Sequence, residues 1–180
     1  MNPVRLLFAI LLLLPACRKT PTPSAPAHVE LPPGHREVLD AVFNTIPEGE
    51  VKAIQEVKQT ARPGDKVTFS GRIMGNAEPF VQGRAAFILA DPSILTACSD
   101  KPGDLCETPW DTCCDTPEDK LRAIATIQIV DAADQIIKQG LEGTAGLAKL
   151  SEVTVSGTVA PGSAGDVLII HASAIQVSSP

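Results

Sequence analysis

From Pro63 onward, apolar and polar residues alternate with a period of two in five separate segments. Successive side chains of a β-strand point to opposite faces, so this alternation predicts five half-buried strands. The predicted strands are 66–75, 83–91, 122–132, 153–162 and 166–177. The 16 prolines and 13 glycines of the chain suit the many turns that short strands require. The sequence therefore predicts a mainly β domain.

A short helix is predicted between the third and fourth strands, where Leu141, Leu147 and Leu150 give one apolar face. The resulting order, β-β-β-α-β-β, resembles the OB-fold, a five-stranded Greek-key barrel with a helix at this position. Gly71 and Gly157 fall inside the first and fourth strands, where a closed barrel needs a bend or a bulge. We therefore expect an OB-like barrel with short helices, and a small β-sandwich is the alternative.

An amphipathic helix is predicted before the barrel. Its apolar stripe consists of Val38, Leu39, Val42, Phe43 and Ile46, and Pro47 and Gly49 end it. The next segment, 51–60, is compatible with a helical turn or with a lead-in strand. His28 and His35 lie in or beside a proline-rich segment that supplies no partner for an imidazole, so we expect both to be solvated.

The first residues have the layout of an export signal. A positive charge at Arg5 precedes an apolar run over 6–14, which reaches only about 14 Å as a helix and is too short to span a membrane. The tetrapeptide at 14–17, Leu-Pro-Ala-Cys, resembles the lipobox of bacterial lipoproteins, whose cysteine carries diacylglycerol after cleavage. The resemblance implies that Cys17 is lipidated and holds the protein at a membrane. An ordinary secretory signal that ends just before Cys17 is the alternative.

Basic residues follow the lipobox. Arg18 and Lys19 stand where an aspartate would retain a lipoprotein in the inner membrane, so the outer membrane is favoured in a cell with two membranes. Residues 20–33 are rich in proline and small polar residues, which suits an extended tether rather than a packed core. We expect a signal peptide at 1–16, a lipidated cysteine and tether at 17–33, a helical segment at 34–62 and the barrel at 63–178.

The composition excludes several functions. Lys and Arg total 15 against 21 Asp and Glu, and the net charge of -6 opposes binding to a phosphate backbone. Aromatic residues make up 3% of the chain, and we expect Phe69 and Phe87 in the core, which leaves few rings to stack on bases. We therefore expect no nucleic-acid partner. The chain carries no nucleophile, zinc-protease or nucleotide-binding motif, and we interpret His171 as a strand-end histidine, so we expect no enzyme activity.

Four of the five cysteines fall between the second and third predicted strands, namely Cys98, Cys106, Cys113 and Cys114. Their segment, 91–120, is much longer than an ordinary β connection, so we expect a long cysteine-rich insertion. Their spacing matches no zinc finger, ferredoxin or haem-attachment motif. The segment is also rich in acidic residues, and we expect it to be too polar to pack by itself.

Three states of these cysteines are compatible with the sequence. An oxidising exported location and an even number of cysteines favour two disulfides. Cys98 and Cys106 would each bond to one member of the adjacent pair at 113 and 114, because a bond between adjacent cysteines is strained. Soft thiolate ligands also suit Zn²⁺ or Cu⁺, and a reducible bond within the adjacent pair is the third state. We favour two disulfides and expect no metal or other cofactor.

Trp110, the single tryptophan, and Asp111 lie in the same segment, where they either cap the loop or contact a partner. The tetrapeptide at 108–111, Thr-Pro-Trp-Asp, followed by the adjacent cysteines, resembles a signature of uncharacterised exported bacterial lipoproteins over residues 67–177. The resemblance implies location and fold but no activity. We interpret the chain as a lipid-anchored, non-catalytic cell-envelope module that presents a disulfide-stapled loop to an unknown envelope protein or small ligand. The alternative is a metal-binding or thiol-redox envelope protein that uses the same four cysteines.

Overall fold

The computed structural model describes residues 34–178, so the predicted signal peptide, Cys17 and the tether lie outside the described residues. The described helices are α1 (His35–Asn44), α2 (Ile54–Thr60) and α3 (Pro117–Ala123), and none of them is long and apolar enough to cross a membrane. The strands are β1 (Lys52–Ala53), β2 (Lys66–Arg72), β3 (Ala86–Ala90), β4 (Ile124–Gln128), β5 (Glu152–Val159) and β6 (Ile169–Val177). Single turns of 3-10 helix lie at Cys98–Asp100 and Thr144–Gly146.

Five strands form a closed barrel. Their order is β2-β3-β4-β6-β5, and β5 pairs again with β2 to close the ring. β4 and β6 run parallel, whereas the other neighbours in the ring are antiparallel. The short strand β1 pairs in parallel with β2. The protein is therefore mainly β, with an OB-like five-stranded barrel and three short helices, and the predicted fold class is confirmed.

The barrel interior is apolar. Burial alternates residue by residue along β4 and β5, as the period-two pattern predicts. Phe69 of β2 and Phe87 of β3 are fully buried, and the ring of Phe87 lies 6.0 Å from the ring of Phe80 between centroids. Full burial of a large apolar side chain contributes about 1.5–3 kcal/mol. These rings therefore stabilise the closed barrel and are not exposed for base stacking.

Two glycines allow neighbouring strands to approach closely. A Cβ atom at Gly157 would lie 2.4 Å from the carbonyl oxygen of His171, and the pairing of β5 with β6 shifts register between Ser156 and Gly157. A Cβ atom at Gly71 would lie 2.8 Å from the carbonyl oxygen of Ala90. Both distances are shorter than any that a real Cβ atom tolerates. The irregularity at Gly157 fits the predicted bend or bulge, whereas Gly71 lies in a regular pairing of β2 with β5 and is required by the close approach of β3.

The prediction of a helix between the third and fourth barrel strands is wrong. The described chain has only a 3-10 turn there, at Thr144–Gly146. Gly143 and Gly146 each have a φ of 84°, a left-handed conformation that interrupts a right-handed helix. Leu141 and Leu147 are buried nonetheless. Their apolar character therefore reflects the packing of an irregular connection into the core, which periodicity alone does not distinguish from a helix face.

The segment before the barrel differs from its prediction in two ways. α1 ends at Asn44, so Ile46 lies beyond the apolar stripe and is 71% exposed. His35 is half-buried rather than solvated, because its Nε2 atom lies 3.4 Å from Oδ2 of Asp131. Asp131 follows far along the chain, so the local sequence gives no sign of this pair. The ambiguous segment 51–60 contains both of its alternatives, since β1 directly precedes α2.

The side chain of Lys58 connects α2 to the barrel. Its ammonium donates hydrogen bonds to the backbone carbonyl oxygens of Leu121, of Ile124 at 2.9 Å and of Asp166 at 2.6 Å. Burial lowers the pKa of Lys58, and the nearby carboxylate of Asp166 opposes that effect. One lysine thus joins α2 to α3, to the first residue of β4 and to the turn before β6.

Candidate functional site

The connection from β3 to β4, residues 91–123, is called the cysteine loop because it holds all four cysteines of the described chain. The loop packs on a small hydrophobic cluster that is separate from the main core. The buried residues of this second cluster are Met74, Ala90, Leu95, Ala97 and Ala123. Three of them, Leu95, Ala97 and Ala123, belong to the loop itself. The expectation that the segment is too polar to pack by itself is therefore wrong, because a few apolar residues suffice to seat it on the barrel.

Backbone hydrogen bonds fold the cysteine loop back on itself. The N–H of Cys98 donates to the carbonyl oxygen of Asp111 at 2.8 Å, and the N–H of Ser99 donates to that of Pro109 at 2.9 Å. The N–H of Asp111 donates in turn to the carbonyl oxygen of Thr108 at 2.8 Å. The Thr-Pro-Trp-Asp tetrapeptide is thus a turn that runs beside the 3-10 turn of Cys98. This arrangement brings the downstream cysteines next to Cys98.

The loop ends in α3, whose start follows from its local sequence. The hydroxyl of Thr116 accepts a hydrogen bond from the N–H of Asp119 at 3.1 Å, as an N-cap residue does. Pro117 takes the first helical position, where its missing N–H leaves no donor unsatisfied. Arg122 pairs with the carboxylate of Asp119 at 2.6 Å and lowers the pKa of that group. A capped helix therefore fixes the end of the loop that leads into β4.

Ion pairs neutralise much of the acidic charge of the loop. Arg72 of β2 pairs with the carboxylate of Asp100, and Lys101 pairs with Asp115 at 3.1 Å. The second oxygen of Asp115 accepts a hydrogen bond from the N–H of Thr96 at 2.8 Å. Asp100 therefore attaches the loop to β2, whereas Asp115 links two parts of the loop to each other. The pair between Arg72 and Asp100 is not apparent from the sequence, because the two residues are far apart along the chain.

Trp110 attaches the loop to the connection that follows β2. Its indole N–H donates to the carbonyl oxygen of Ala77 at 2.8 Å, and the ammonium of Lys149 lies 4.2 Å from the ring centroid. The carbonyl oxygen of Trp110 accepts from the N–H of Gly75 at 3.2 Å. Thr112 is fully buried and donates to the carbonyl oxygen of Gly75 at 3.2 Å, an anchor that sequence reasoning missed. A partner contact at Trp110 and Asp111 stays a prediction.

The four predicted cysteines meet at one point of the loop. The Sγ atom of Cys98 lies 3.4 Å from Sγ of Cys113, and Sγ of Cys113 lies 3.8 Å from Sγ of Cys114. The Sγ atoms of Cys98 and Cys106 and a carboxylate oxygen of Asp104 lie within 4.8 Å of one another. Cys98 is fully buried, whereas Cys113 and Cys114 are exposed. The other three thiols thus lie around the buried Cys98, and two of them, those of Cys113 and Cys114, are exposed to solvent.

The predicted disulfides are not formed in this structure. All four cysteines of the described residues carry free thiols, and the sulfur atoms of Cys98 and Cys113 are 3.4 Å apart, well beyond the bond length of about 2.05 Å. The adjacent pair, Cys113 and Cys114, is likewise unbonded. Separations of 3.4 and 3.8 Å resemble the sulfur–sulfur edge of about 3.8 Å that Zn–S bonds of about 2.3 Å give in a tetrahedron. The arrangement can hold a metal ion, or it can close to a disulfide after a small side-chain rotation.

The thiols differ in acidity because their surroundings differ. Burial raises the pKa of Cys98, whereas hydrogen bonds from the side chain and backbone of Thr108 lower the pKa of Cys106. Hydrogen bonding to Cys98 and Cys114 raises the pKa of Cys113 to about 12. Ionisation of one thiol disfavours ionisation of its neighbour, because two thiolates in contact repel each other. The raised pKa values of Cys98 and Cys113 favour neutral thiols at these two positions.

A groove of about 820 Å³ lies between the chain that follows α1 and the strands β2 and β5. Its lining is rich in hydroxyl groups, of which Thr68 and Ser156 are central. These two hydroxyls lie 2.7 Å apart, and both hydrogen-bond the carbonyl oxygen of Glu48. Because these hydroxyl groups already have hydrogen-bond partners within the protein, the groove is a weaker candidate for ligand binding than the four cysteines.

Comparison with known proteins gives no match for this chain. No protein-family model matches it, and neither a curated protein nor a solved structure is significantly similar to it. The barrel and the cysteine cluster therefore carry the functional proposal by themselves.

Proposed function

We propose that this protein is a lipid-anchored, non-catalytic binding module of the cell envelope, with the cysteine loop as its binding element. The observation that carries the proposal is the way in which the loop is held. Its base has its own apolar cluster, and Trp110 and Asp100 attach it to the barrel, while the tip around Leu105 is exposed. Loops positioned by a rigid scaffold commonly carry binding functions. The partner is an envelope protein or a small ligand.

Membrane attachment is supported by the lipobox-like tetrapeptide at 14–17. Lipid on Cys17 would hold the protein at the membrane surface, and residues 20–33 would give the barrel a reach of about 40 Å if extended at about 3.1 Å per residue. A barrel on such a tether can meet partners that lie some distance from its own lipid. Arg18 and Lys19 favour the outer membrane of a two-membrane cell.

The non-catalytic part of the proposal is supported by the surroundings of the histidines. His35 faces Asp131 at 3.4 Å, and His171 faces Asp134 at 4.0 Å. Neither histidine hydrogen-bonds a serine, threonine or cysteine of the part of the chain that the structure describes. General-base activation of a nucleophile uses such a bond, either direct or through one water.

A second candidate function is favoured by the sulfur positions. The thiol of Cys98 and the three thiols near it suit soft-metal binding or thiol redox chemistry as well as a disulfide-linked loop. The second hydrophobic cluster packs the loop against the barrel without a cross-link, so free or metal-bound thiols are compatible with an ordered loop. If the loop oxidises, Cys98 and Cys113 are the closest pair and would bond first.

Expression of the full chain in a bacterium that lipidates lipoproteins tests the anchoring. We expect the wild type in the membrane fraction with an acyl mass at Cys17, and we expect Cys17→Ala to be released without it. The matched control Cys106→Ala changes a loop cysteine instead and should stay in the membrane. Recovery of Cys17→Ala in the membrane with no lost acyl mass would contradict the proposal. Alkylation without reductant separates the candidates, because two disulfides leave no thiol to react and the second candidate leaves thiols or bound metal.

A further inference from the structure

Two groups of potential metal ligands in the cysteine loop share one sulfur. The first consists of Cys98, Cys113 and Cys114, and the second consists of Cys98, Asp104 and Cys106. Within each group the ligand atoms lie within 4.8 Å of one another. Cys98 belongs to both groups, so an ion beside its sulfur has Cys106 on one side and the adjacent pair, Cys113 and Cys114, on the other. The four sulfurs do not form one set within 4.8 Å, so binding of all four requires a small movement of Cys106 towards the adjacent pair.

We propose that Cys98, Cys106, Cys113 and Cys114 bind one zinc ion as four thiolates. The inference rests on the second candidate function and names its ligand. Binding replaces four S–H bonds with four Zn–S bonds and releases four protons, so it consumes neither an oxidant nor a reductant. The resulting centre carries a net charge of about −2, that is, four thiolates against one Zn²⁺.

The adjacent cysteines fit one ion. In an extended chain, Cys113 and Cys114 would point to opposite sides, and their sulfurs would be unable to share a metal. The backbone instead turns at these residues, and the two Sγ atoms lie 3.8 Å apart. This separation equals the edge of about 3.8 Å expected for a zinc tetrathiolate. Neighbouring residues can therefore occupy two corners of one tetrahedron.

The charge of the site favours zinc over copper(I). Four thiolates around Cu⁺ would leave a charge of about −3, one unit more than around Zn²⁺, in a loop that is already acidic. Lys101 is a cation of the same loop, and it pairs at 3.1 Å with Asp115, the residue that follows Cys114. A single lysine neutralises a larger fraction of the −2 charge of a zinc tetrathiolate than of the −3 charge of a copper(I) tetrathiolate.

One ligand sulfur already has a hydrogen-bond partner that can donate to a thiolate. The hydroxyl of Thr108 lies 3.4 Å from Sγ of Cys106. Donors to ligand sulfurs orient thiolates and tune the metal that they hold. The loop thus supplies outer contacts as well as ligands.

The zinc ion would be exchangeable rather than required for folding. A zinc finger unfolds without its metal because it has little core of its own. The cysteine loop has the second hydrophobic cluster, and Cys113 and Cys114 face solvent. We therefore expect a chelator to remove zinc without unfolding the barrel.

The full lipid-bearing chain, extracted from membranes in detergent without reductant, tests the inference. We expect one equivalent of zinc per chain by elemental analysis, and after chelation four loop thiols that react with an alkylating agent. Co²⁺ in place of zinc should give the thiolate charge-transfer and tetrahedral d–d absorptions of a four-sulfur site. Far-UV circular dichroism should stay unchanged when the metal is removed.

Single variants define the ligand set. Cys106→Ser and Cys114→Ser should each lower zinc affinity by more than about 100-fold, and Thr108→Val should lower it about 10-fold through the lost donor to Cys106. Ser99→Ala is the matched control in the same loop and should bind as wild type does. Asp104→Asn should also keep the cobalt spectrum, because Asp104 is not one of the four proposed ligands. Loss of the cobalt spectrum in Asp104→Asn would overturn the four-sulfur ligand set.

The outcomes separate this inference from the proposed function. Two disulfides with no metal, or copper instead of zinc in the protein as extracted from membranes, would overturn the zinc site and leave membrane anchoring intact. The release of Cys17→Ala from the membrane is measured in the same cell fractions, and it does not depend on zinc. A protein that binds zinc as expected but needs no Cys17 for attachment would overturn the anchoring alone.

Discussion

The indole N–H of Trp110 donates a hydrogen bond to the backbone carbonyl of Ala77 at 2.8 Å, which joins the middle of the cysteine loop to the chain that follows β2. Lys149 lies over the same ring at 4.2 Å from its centroid. Trp110 is the only tryptophan of the protein, so its fluorescence reports directly on this attachment.

Replacement of Trp110 should therefore loosen the loop. We expect Trp110→Phe to keep most of the ring packing and to lower the free energy of unfolding by about 1 kcal/mol through the lost hydrogen bond. Trp110→Ala removes the ring as well and should cost about 2–3 kcal/mol. Urea denaturation followed by circular dichroism measures both, and Leu105→Ala, at a position 95% exposed in the same loop, serves as the control and should be neutral. Equal stability of Trp110→Ala and wild type would show that the indole does not hold the loop.

Lys58→Met should destabilise the barrel. The variant keeps an unbranched apolar side chain but leaves the carbonyl oxygens of Ile124 and Asp166 without the ammonium that now serves them at 2.9 and 2.6 Å. Loss of hydrogen bonds to a charged group should lower the free energy of unfolding by about 2 kcal/mol. Lys138→Met, at an exposed position, is the matched control and should change stability little. A Lys58→Met midpoint equal to that of the control would rule out this role.

The barrel was predictable from the sequence because each strand has an alternating or apolar pattern within its own residues. The alternation around Phe69 and the apolar run around Phe87 place both rings in the core without knowledge of their neighbours. Gly157 was informative for the same reason, since a glycine inside a strand predicts a bend or bulge and the pairing of β5 with β6 shifts register there. The strand order then followed from the small number of topologies that five such strands adopt.

The sequence predicted which cysteines belong to the candidate site but not how they are arranged. Spacing along the chain shows that the cysteines share one loop, but the 3.4 Å separation of Cys98 and Cys113 depends on the turn that ends at Asp111. The pairing of Arg72 with Asp100 and of His35 with Asp131 joins distant parts of the chain, and no local pattern encodes either pair. The same holds for the second hydrophobic cluster, which draws on three separate segments. Contacts of this kind arise from tertiary packing, so a polar-looking segment is ordered where its composition suggests otherwise.

The carboxylate of Asp131 should make stability depend on pH. Backbone N–H groups of Gln135 and Ala133, followed by the side chain of His35, lower the pKa of Asp131. A carboxylate with a lowered pKa in the folded state stabilises the protein above its unfolded pKa of about 3.9, and this stabilisation is lost as the pH falls through the folded value. Asp131→Asn should therefore be less stable than wild type near neutral pH, and the difference should disappear in acid.

Urea midpoints of both proteins between about pH 7 and about pH 3 check this expectation. Glu78→Gln is the control, because Glu78 is exposed and has no ion pair within residues 34–178. A gap between Asp131→Asn and wild type that stays constant over the whole range would mean that the charge of Asp131 contributes nothing.

Gly157 gives the sharpest test of the barrel closure. A methyl group at this position would meet the carbonyl oxygen of His171 at 2.4 Å and the side chain of Ile170 at 2.7 Å, where β5 and β6 shift register. Backbone cannot move aside as a flexible side chain does, so Gly157→Ala should lower the free energy of unfolding by about 2–3 kcal/mol. Gly162→Ala is the matched control, since its added methyl group would make only an ordinary contact of 3.5 Å with Ile169. If the two variants unfold at the same denaturant concentration, the close approach at Gly157 is not needed to close the barrel.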